Sequence, residues 1–266
     1  MGQFMAVAAL AIMCSCSVKE DRSGCPCYLT MNVDEFVREG LVSGVVSFKA
    51  AGLDTSESLD FADWFGTGYT VAVPRRGLSA SCVSGLSSCI LEGNCIRIPA
   101  GLSSDPIHSY RTRFVPEGDE DLVTAVPHKQ YCRLFLVTDD PAGQDSVVYR
   151  ISGRMAGLDL FSLTPLPGHF ECPVYPDGNG TFMCSLLRQD DDSGLVLEAF
   201  DAGDEVIDEN DLKYSINLSS ALLLAGYDWT AEDLEDVYLK VDYARAEVTV
   251  TIGDWDGGDS RLDVEI

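Results

Sequence analysis

Hydrophobic and polar residues alternate in short runs along most of the chain, the pattern of half-buried strands. Leu29, Met31 and Val33 alternate with Thr30 and Asn32, and Val45 to Phe48 is a short apolar run. Tyr69, Val71 and Val73 alternate and stop at Pro74. Leu78 to Val83, Cys89 to Leu91 and Cys95 to Ile98 are further short runs separated by Gly and Ser. Residues 101–127 are polar, with Pro106, Pro116, Pro127 and the acidic run Asp119-Glu120-Asp121. That stretch reads as a boundary between two units with one connecting strand inside it.

The second half repeats the style. Tyr131 to Thr138 reads as a buried strand, and Val147, Tyr149 and Ile151 alternate. Asp177-Gly178-Asn179-Gly180 predicts a hairpin turn, because Gly and Asn tolerate positive φ. Phe182, Cys184 and Leu186 follow it; then come Leu195 to Phe200, and Tyr214, Ile216 and Leu218. Leu222 to Gly226 reads as a helical turn, and Thr230 with Asp233 as a capping box opening one more short helix. Val237, Leu239, Val241 and Tyr243 occupy odd positions, and Ala244, Ala246, Val248, Val250 and Ile252 even ones. Such a switch demands a turn or bulge near Asp242 to Arg245, since a one-residue slip changes the face. Many short strands with turns between them predict an all-β chain of β-sandwiches, two in number for this length.

Charge narrows the function. The 266 residues carry 18 Lys+Arg against 43 Asp+Glu, a net charge of −25. A surface this acidic repels phosphate, so nucleic-acid binding and electrostatic docking to anionic lipid are disfavoured. With 46% hydrophobic residues, the chain has material for real cores, which argues against global disorder.

The first fifteen residues carry none of that charge. Phe4 to Met13 is an apolar run too short to span a bilayer and long enough for a signal-peptide core. It leads into Cys14-Ser15-Cys16, and a small residue before a Cys after such a run resembles the lipobox of bacterial lipoproteins. The resemblance implies a leader of residues 1–15, cleavage before Cys16, and diacylation of Cys16. Two acyl chains give stable membrane anchoring where one is marginal. Cys14 is the poorer acceptor because the bulky Met13 precedes it.

Ten Cys is a high count. Cys25-Pro26-Cys27 has one intervening residue rather than the two to four of zinc sites, and no His stands at ligand spacing to a Cys pair. An exported chain permits disulfides. Sequence cannot choose the pairing, although Cys82, Cys89 and Cys95 lie close enough for a local bridge; buried free thiols are the alternative.

Catalytic motifs are missing: there is no G-x-S-x-G, H-E-x-x-H or G-x-x-x-x-G-K. His108, His128 and His169 sit in loop-like contexts. Asp254-x-Asp256 with Glu265 echoes a calcium loop, but Asp259 stands where Gly is needed. Asp201, Asp204, Asp208 and Asp211 read as solvated turn carboxylates. Trp64, Trp229 and Trp255 read as core or sheet-corner residues rather than a sugar platform. No enzyme, cofactor or metal is expected.

Three segments together resemble the FimB/Mfa2 family, the fimbrial anchor subunits of Bacteroidetes. The first is Cys16 followed by Arg22-Ser23-Gly24-Cys25-Pro26 and the strand Tyr28 to Val33. The second is Tyr69 to Pro74. The third is Tyr227-Asp228-Trp229 with Asp233-Leu234-Glu235-Asp236, the strand pair that follows, and Asp254-Trp255. The resemblance implies two tandem transthyretin-like β-sandwiches, residues 16–127 and 128–266, on an outer-membrane lipid anchor at the cell surface. It implies a partner, the fimbrial shaft pilin, held by β-strand addition in a way that ends shaft growth. An anchor tied through Cys16 must keep its first strand, so its own groove should stay filled. Lys19 and Arg22 are candidate protease sites that precede that strand, so a cut there would sever the anchor without emptying the groove. Leu262, Val264 and Ile266, behind Gly257-Gly258, form a candidate donor strand for the last shaft subunit. An ordinary final edge strand is the preferred reading of the same residues. Ser17 to Asp21 looks like the acidic surface-export signal of lipoproteins in this phylum, or serves as a plain tether. A surface adhesin or carbohydrate-binding lipoprotein, and a tip or accessory fimbrial subunit, are the alternative functions.

Overall fold

A computed structural model describes residues 24–138, 147–176, 181–201, 212–242, 247–253 and 262–265. Cys14, Cys16, Lys19, Arg22, the Asp177 to Gly180 turn, the bend after Asp242, Asp204 to Asp211, Asp254 to Asp259 and Ile266 lie outside the described residues.

The first half contains β1 (Cys27–Asn32), α1 (Asp34–Arg38), β2 (Ser43–Ala50), β3 (Leu53–Asp60), β4 (Tyr69–Val73) and β5 (Leu78–Ser84). It continues with β6 (Ile90–Glu92), β7 (Cys95–Arg97), β8 (His108–Phe114), β9 (Glu120–Thr124) and β10 (His128–Lys129). A three-stranded sheet runs β4-β1-β9 and a five-stranded sheet β10-β8-β5-β2-β3. The expected alternation in β1 is borne out: Cys27, Leu29 and Met31 are fully buried, while Tyr28 is exposed. They share one core with Val46, Phe48, Leu78, Ala80 and Cys82 of the facing sheet. Burial of each large side chain there stabilises the fold by about 1.5–3 kcal/mol. Between β1 and β2, Asn32 Oδ1 accepts the Asp34 N–H at 2.8 Å and starts α1. Phe36 of that helix meets Phe61 edge-on, with centroids 5.2 Å apart.

The second half contains β11 (Tyr131–Thr138), β12 (Val147–Asp159), β13 (Thr164–Pro176), β14 (Phe182–Leu187), β15 (Val196–Asp201) and β16 (Leu212–Asn217). Then come α2 (Leu218–Leu224), β17 (Val237–Asp242), β18 (Glu247–Ile252) and β19 (Leu262–Glu265). Its strands run β16-β15-β12-β13-β14-β11-β17-β18-β19. The long β13 links two parts of this path. Most of it pairs with β12, and its last residues, Tyr175 and Pro176, pair with Met183 and Phe182 of β14. The two parts share a single core that includes Leu134, Leu136, Tyr149, Ile151, Phe170, Leu197 and Leu239.

The β6–β7 hairpin belongs to this second set of strands, although it comes from the first half. Its residues Cys95, Ile96 and Arg97 pair with Asp159, Leu158 and Gly157 of β12. A Cβ on Gly157 would lie 2.5 Å from the Ile96 carbonyl oxygen, so the pairing needs glycine there. Ile96, Ile98, Val83, Ile107, Leu158, Leu160 and Leu187 form a third core under the hairpin.

The all-β sandwich fold class is as the sequence predicts. Several elements differ. The stretch 101–127, expected to hold one connecting strand, holds two: β8, interior to the five-stranded sheet, and β9, paired in parallel with β1. One side of β9 is left to solvent: Glu120, Leu122 and Thr124 are exposed. β3 escaped the pattern because it is an edge strand with mostly exposed residues, LDTSESLD. β13 escaped because Pro165, Pro167 and Pro173 break the apolar run. The short helix expected at Thr230 is not formed. Asp228, not Asp233, caps Thr230, accepting its N–H at 2.8 Å and its hydroxyl at 2.6 Å. Residues 229–230 form a turn and 231–233 a bend.

Candidate functional site

β1 lies between two partners. It is antiparallel to β4, with Leu29 opposite Val71, and parallel to β9, with Leu29 opposite Asp121. Both edges of β1 are therefore paired by its own chain. The entry to β1 is fixed by Arg75, which follows β4. Arg75 Nε donates to the Cys25 carbonyl at 3.2 Å and Nη1 to the Glu117 carbonyl at 2.7 Å, while Nη2 pairs with Asp119. One guanidinium thus ties the N-terminal approach, the end of β4 and the loop before β9 together. A fork of fixed donors does this where a lysine could not.

The sheet ends carry charge to different degrees. β9 holds Glu120 and Asp121, and β3 holds Asp54, Glu57 and Asp60, charges that discourage stray edge pairing. β4, Tyr69–Val73, has no charged residue. β19 closes the path of the second half, antiparallel to β18, with Val264 opposite Val248 and Leu262 opposite Val250. Leu262 and Val264 thus occupy a strand at the end of a sheet among the described residues.

The two halves meet where Pro127 to Gln130 cross from one to the other. The acidic segment Asp233 to Asp236 sits against this crossing. Asp233 accepts the Lys129 N–H at 2.6 Å and lies 3.1 Å from His128 Nδ1. Asp236 accepts the Arg133 N–H at 2.8 Å and pairs with Lys129 Nζ at 2.5 Å. Leu234 between them is buried, and its N–H donates to the Lys129 carbonyl at 3.1 Å. The acidic-Leu-x-acidic pattern therefore closes a joint.

Behind this joint Arg188 is 1% exposed. It donates to Gln130 Oε1 at 3.1 Å, to the Trp229 carbonyl, and to the carbonyls of Ala231 and Glu232 at 2.8 and 3.2 Å. Burial lowers its pKa from the usual guanidinium value. Tyr227 packs edge-on against Trp229, with centroids 4.6 Å apart, and donates its hydroxyl to the Glu235 carbonyl at 2.8 Å.

Asp105 organises a second buried polar point. Its Oδ2 accepts the N–H groups of Ser87, Ser88 and Cys89 at 2.8, 2.8 and 2.6 Å, and Oδ1 accepts the Ser88 hydroxyl at 2.7 Å. Burial by itself would raise the carboxyl pKa, but these donors together hold it below the usual value. Gly85, with φ +88°, opens that loop; a Cβ there would stand 2.1 Å from the Pro106 carbonyl oxygen.

The histidines and cysteines disperse. His108 is half-buried beside Tyr131, and burial lowers its pKa. His169 lies 3.1 Å from Glu171. Cys82, Cys89 and Cys95 do not form a bridge: all eight described cysteines are free thiols. Cys82 points into the first core and Cys89 into the third. Cys132, Cys172 and Cys184 share the largest core. Trp64 and Trp229 pack on core clusters. Arg75, Arg188 and Asp105 are residues that sequence reasoning missed. The only signal available for Arg188 was a cation directly after the apolar pair Leu186-Leu187.

No protein-family model and no curated protein matches the chain. Solved structures do. The fimbrial anchor protein Mfa2 from Porphyromonas gingivalis superimposes with a TM-score of 0.59 at 8% identity, over 86% of this chain and 97% of that one. A candidate polysaccharide-binding protein from Bacteroides thetaiotaomicron gives 0.61 at 10% identity, over 91% and 98%. A candidate adhesin from Bacteroides ovatus gives 0.60 at 13%, over 90% and 95%. At these identities the likeness is one of fold. It extends over both halves of the chain. Among the described residues, no helix is long and apolar enough to cross a membrane.

Proposed function

We propose that this chain is a lipid-anchored fimbrial anchor subunit of the outer membrane, built of two sandwiches, residues 16–127 and 128–266. Cys16 carries the acyl chains, the protein faces the outside of the cell, and its partner is a fimbrial shaft pilin joined by strand addition. The observation that carries the reading is the fold likeness to a fimbrial anchor protein over 86% of this chain, together with a β1 that is held on both sides. A subunit tied to the membrane ahead of β1 transmits load through that strand, and β1 is held by β4, β9 and the Arg75 clasp.

The tail has two roles within this reading. Residues 262–266 either leave β18 and donate to the last shaft subunit or stay as the final edge strand. Deleting residues 261–266 separates them: lost shaft retention on cells assigns the donor role, and unchanged retention assigns the edge role. The reading as a whole is tested by Cys16→Ser. Released protein and shed fimbriae are the expected result, and membrane retention of the unacylated variant overturns it. A second reading, a surface adhesin or glycan-binding lipoprotein, is favoured by the fold likeness to the candidate adhesin and polysaccharide-binding protein. Glycan-array binding by the purified chain with no effect of its deletion on shaft retention would select it.

A further inference from the structure

The face of the five-stranded sheet turned away from the first core is polar. Phe48 and Ala80 point into that core, so Ser47 and Lys49 of β2 and Ser79 and Ser81 of β5 stand on the opposite side. The register sets them in two rows. Asp54, Lys49, Ser79 and Arg113 follow one another across β3, β2, β5 and β8, and Ser56, Ser47, Ser81 and Arg111 form the next row. The outer face of an antiparallel sheet ordinarily meets water. Here Ser81 is only 3% exposed.

Two turns from other strands cover this face. The Leu160 N–H donates to the Asn94 carbonyl at 2.9 Å and joins the β6–β7 turn to the turn after β12. Phe161 of that second turn is held against the sheet. Its carbonyl accepts from Arg111 Nε at 3.1 Å, and the Arg113 guanidinium lies 4.8 Å from its ring centre. A recess remains between sheet and turns, lined by the β3, β2 and β5 members of both rows, by Gly93 and Asn94, and by Phe161. The centres of water-sized groups can range over about 20 Å³ of it, against the roughly 10–15 Å³ that one water needs. Some of the lining is paired: the Ser47 and Ser56 hydroxyls bond at 2.8 Å, and Lys49 Nζ lies 3.2 Å from Asp54. The Ser79 and Ser81 hydroxyls and the Asn94 side-chain amide make no hydrogen bond among the described residues. A nearly sealed, unpaired hydroxyl costs free energy, which an occupant that bonds to it recovers.

We propose that this recess is a subsite for a neutral saccharide, which inserts a hydroxymethyl group or two adjacent hydroxyls while its ring stays at the mouth. The lining selects that chemistry. Lys49 and Asp54 cancel in charge, so the recess does not favour an ion. Lys49 only donates, Asp54 only accepts, and the serines and Asn94 do both, which is the repertoire that matches hydroxyl groups. Phe161 adds an apolar wall for the C–H groups of a sugar. The net charge of −25 sets the whole surface against acidic sugars. The proposal rests on the glycan-binding reading and gives it a location; it stands apart from whether the chain holds a shaft.

The test is titration of the full chain with glucose, galactose, mannose and glucuronic acid, read by saturation-transfer NMR and calorimetry. At least one neutral sugar is expected to bind with a Kd on the order of 1 mM, and glucuronic acid more weakly. Ser81→Val removes the sealed hydroxyl and narrows the recess. Asn94→Ala removes the amide from a turn outside the sheet, and so serves if the Ser81 variant does not fold. Each should weaken binding by roughly fivefold or more. Thr70→Ala, on the other sheet, should leave it unchanged. Failure of every sugar to bind would mean that the recess holds water alone and overturns the proposal. Sugar binding that survives both Ser81→Val and Asn94→Ala also overturns it, while leaving the glycan-binding reading in place. Tighter binding of glucuronic acid than of any neutral sugar overturns the ligand class.

Discussion

The Asp233 carboxylate accepts the backbone N–H of Lys129 at 2.6 Å, although the two residues stand 104 positions apart in the chain. This bond fastens the crossing between the two halves to the segment that leads into β17. Asp236 reinforces it from the next turn through Lys129 Nζ and the Arg133 N–H. Both carboxylates address backbone donors, so their value is positional more than coulombic. Asp233→Ala should destabilise the chain by about 1 kcal/mol, and Asp236→Ala, at the less exposed site, by roughly 1–3 kcal/mol. Urea unfolding of each variant measures this. Because the two bonds share Lys129, the double variant should cost less than the sum of the singles.

Arg188 should be the most sensitive cation in the molecule. Its guanidinium reaches the carbonyls of Trp229, Ala231 and Glu232 and the Gln130 side chain from a site sealed from solvent. Arg188→Met leaves those acceptors without donors, and a loss of roughly 3–5 kcal/mol is expected. Arg188→Lys should recover little, because one ammonium cannot span acceptors arranged around a planar fork. Denaturant midpoints of the two variants, compared with that of the wild type, give the answer.

Alternation exposed the strands with one buried face. β1, β4, β5, β11, β14 and β17 all stand where the apolar periodicity put them, because burial on one side imposes a period of two. The strands it missed have a physical reason to be silent. β3 and β9 leave most of their residues in water, so selection for core residues does not mark them. β13 carries prolines that read as breaks. The acidic-Leu-x-acidic segment was legible as a motif but not as a clasp, because its partners lie about a hundred residues upstream. A capping box was the local explanation of Thr230 and Asp233; the tertiary bond to Lys129 outcompeted it. The parity switch between Val241 and Val248 was legible, and the register pairs those two residues directly. Arg188 and Asp105 were not, since a buried charge looks like any surface charge until its donors and acceptors are in place.

Asp105 makes the loop from Gly85 to Cys89 sensitive to acid. Its folded-state pKa lies below the ordinary carboxylate value of about 3.9. The stabilisation it provides is therefore fully present above the unfolded pKa and is lost as pH falls through the folded one. Asp105→Asn removes the charged acceptor and should cost roughly 1–3 kcal/mol at neutral pH. The gap in Tm between wild type and variant should stay constant above about pH 5 and narrow below about pH 4. Thermal melts across that range measure it, and a gap that widens with acid would contradict the assignment.

Proteolysis ahead of β1 should free the protein without unfolding it. Lys19 and Arg22 precede Cys27, where the strand begins. The ladder to β4 runs from Cys27 opposite Val73 to Met31 opposite Tyr69, and the ladder to β9 from Tyr28 opposite Glu120 to Asn32 opposite Thr124. A cut after Arg22 touches neither ladder, nor the bond from Arg75 to the Cys25 carbonyl. Brief trypsin treatment of the purified chain is expected to yield a fragment beginning at Ser23 whose Tm matches that of the uncut protein. The same treatment of intact cells should release this fragment into the medium if Cys16 is the tether and the chain lies outside. Loss of β1 is a different matter. Leu29→Ala opens a cavity in the first core and should cost about 3–5 kcal/mol, because Leu29 is fully buried between two hydrogen-bonded neighbours. A fragment that melts well below the uncut chain would mean that residues before Ser23 contribute to the fold. A matching Tm would establish that the residues before Ser23 can be removed while β1 keeps both of its ladders.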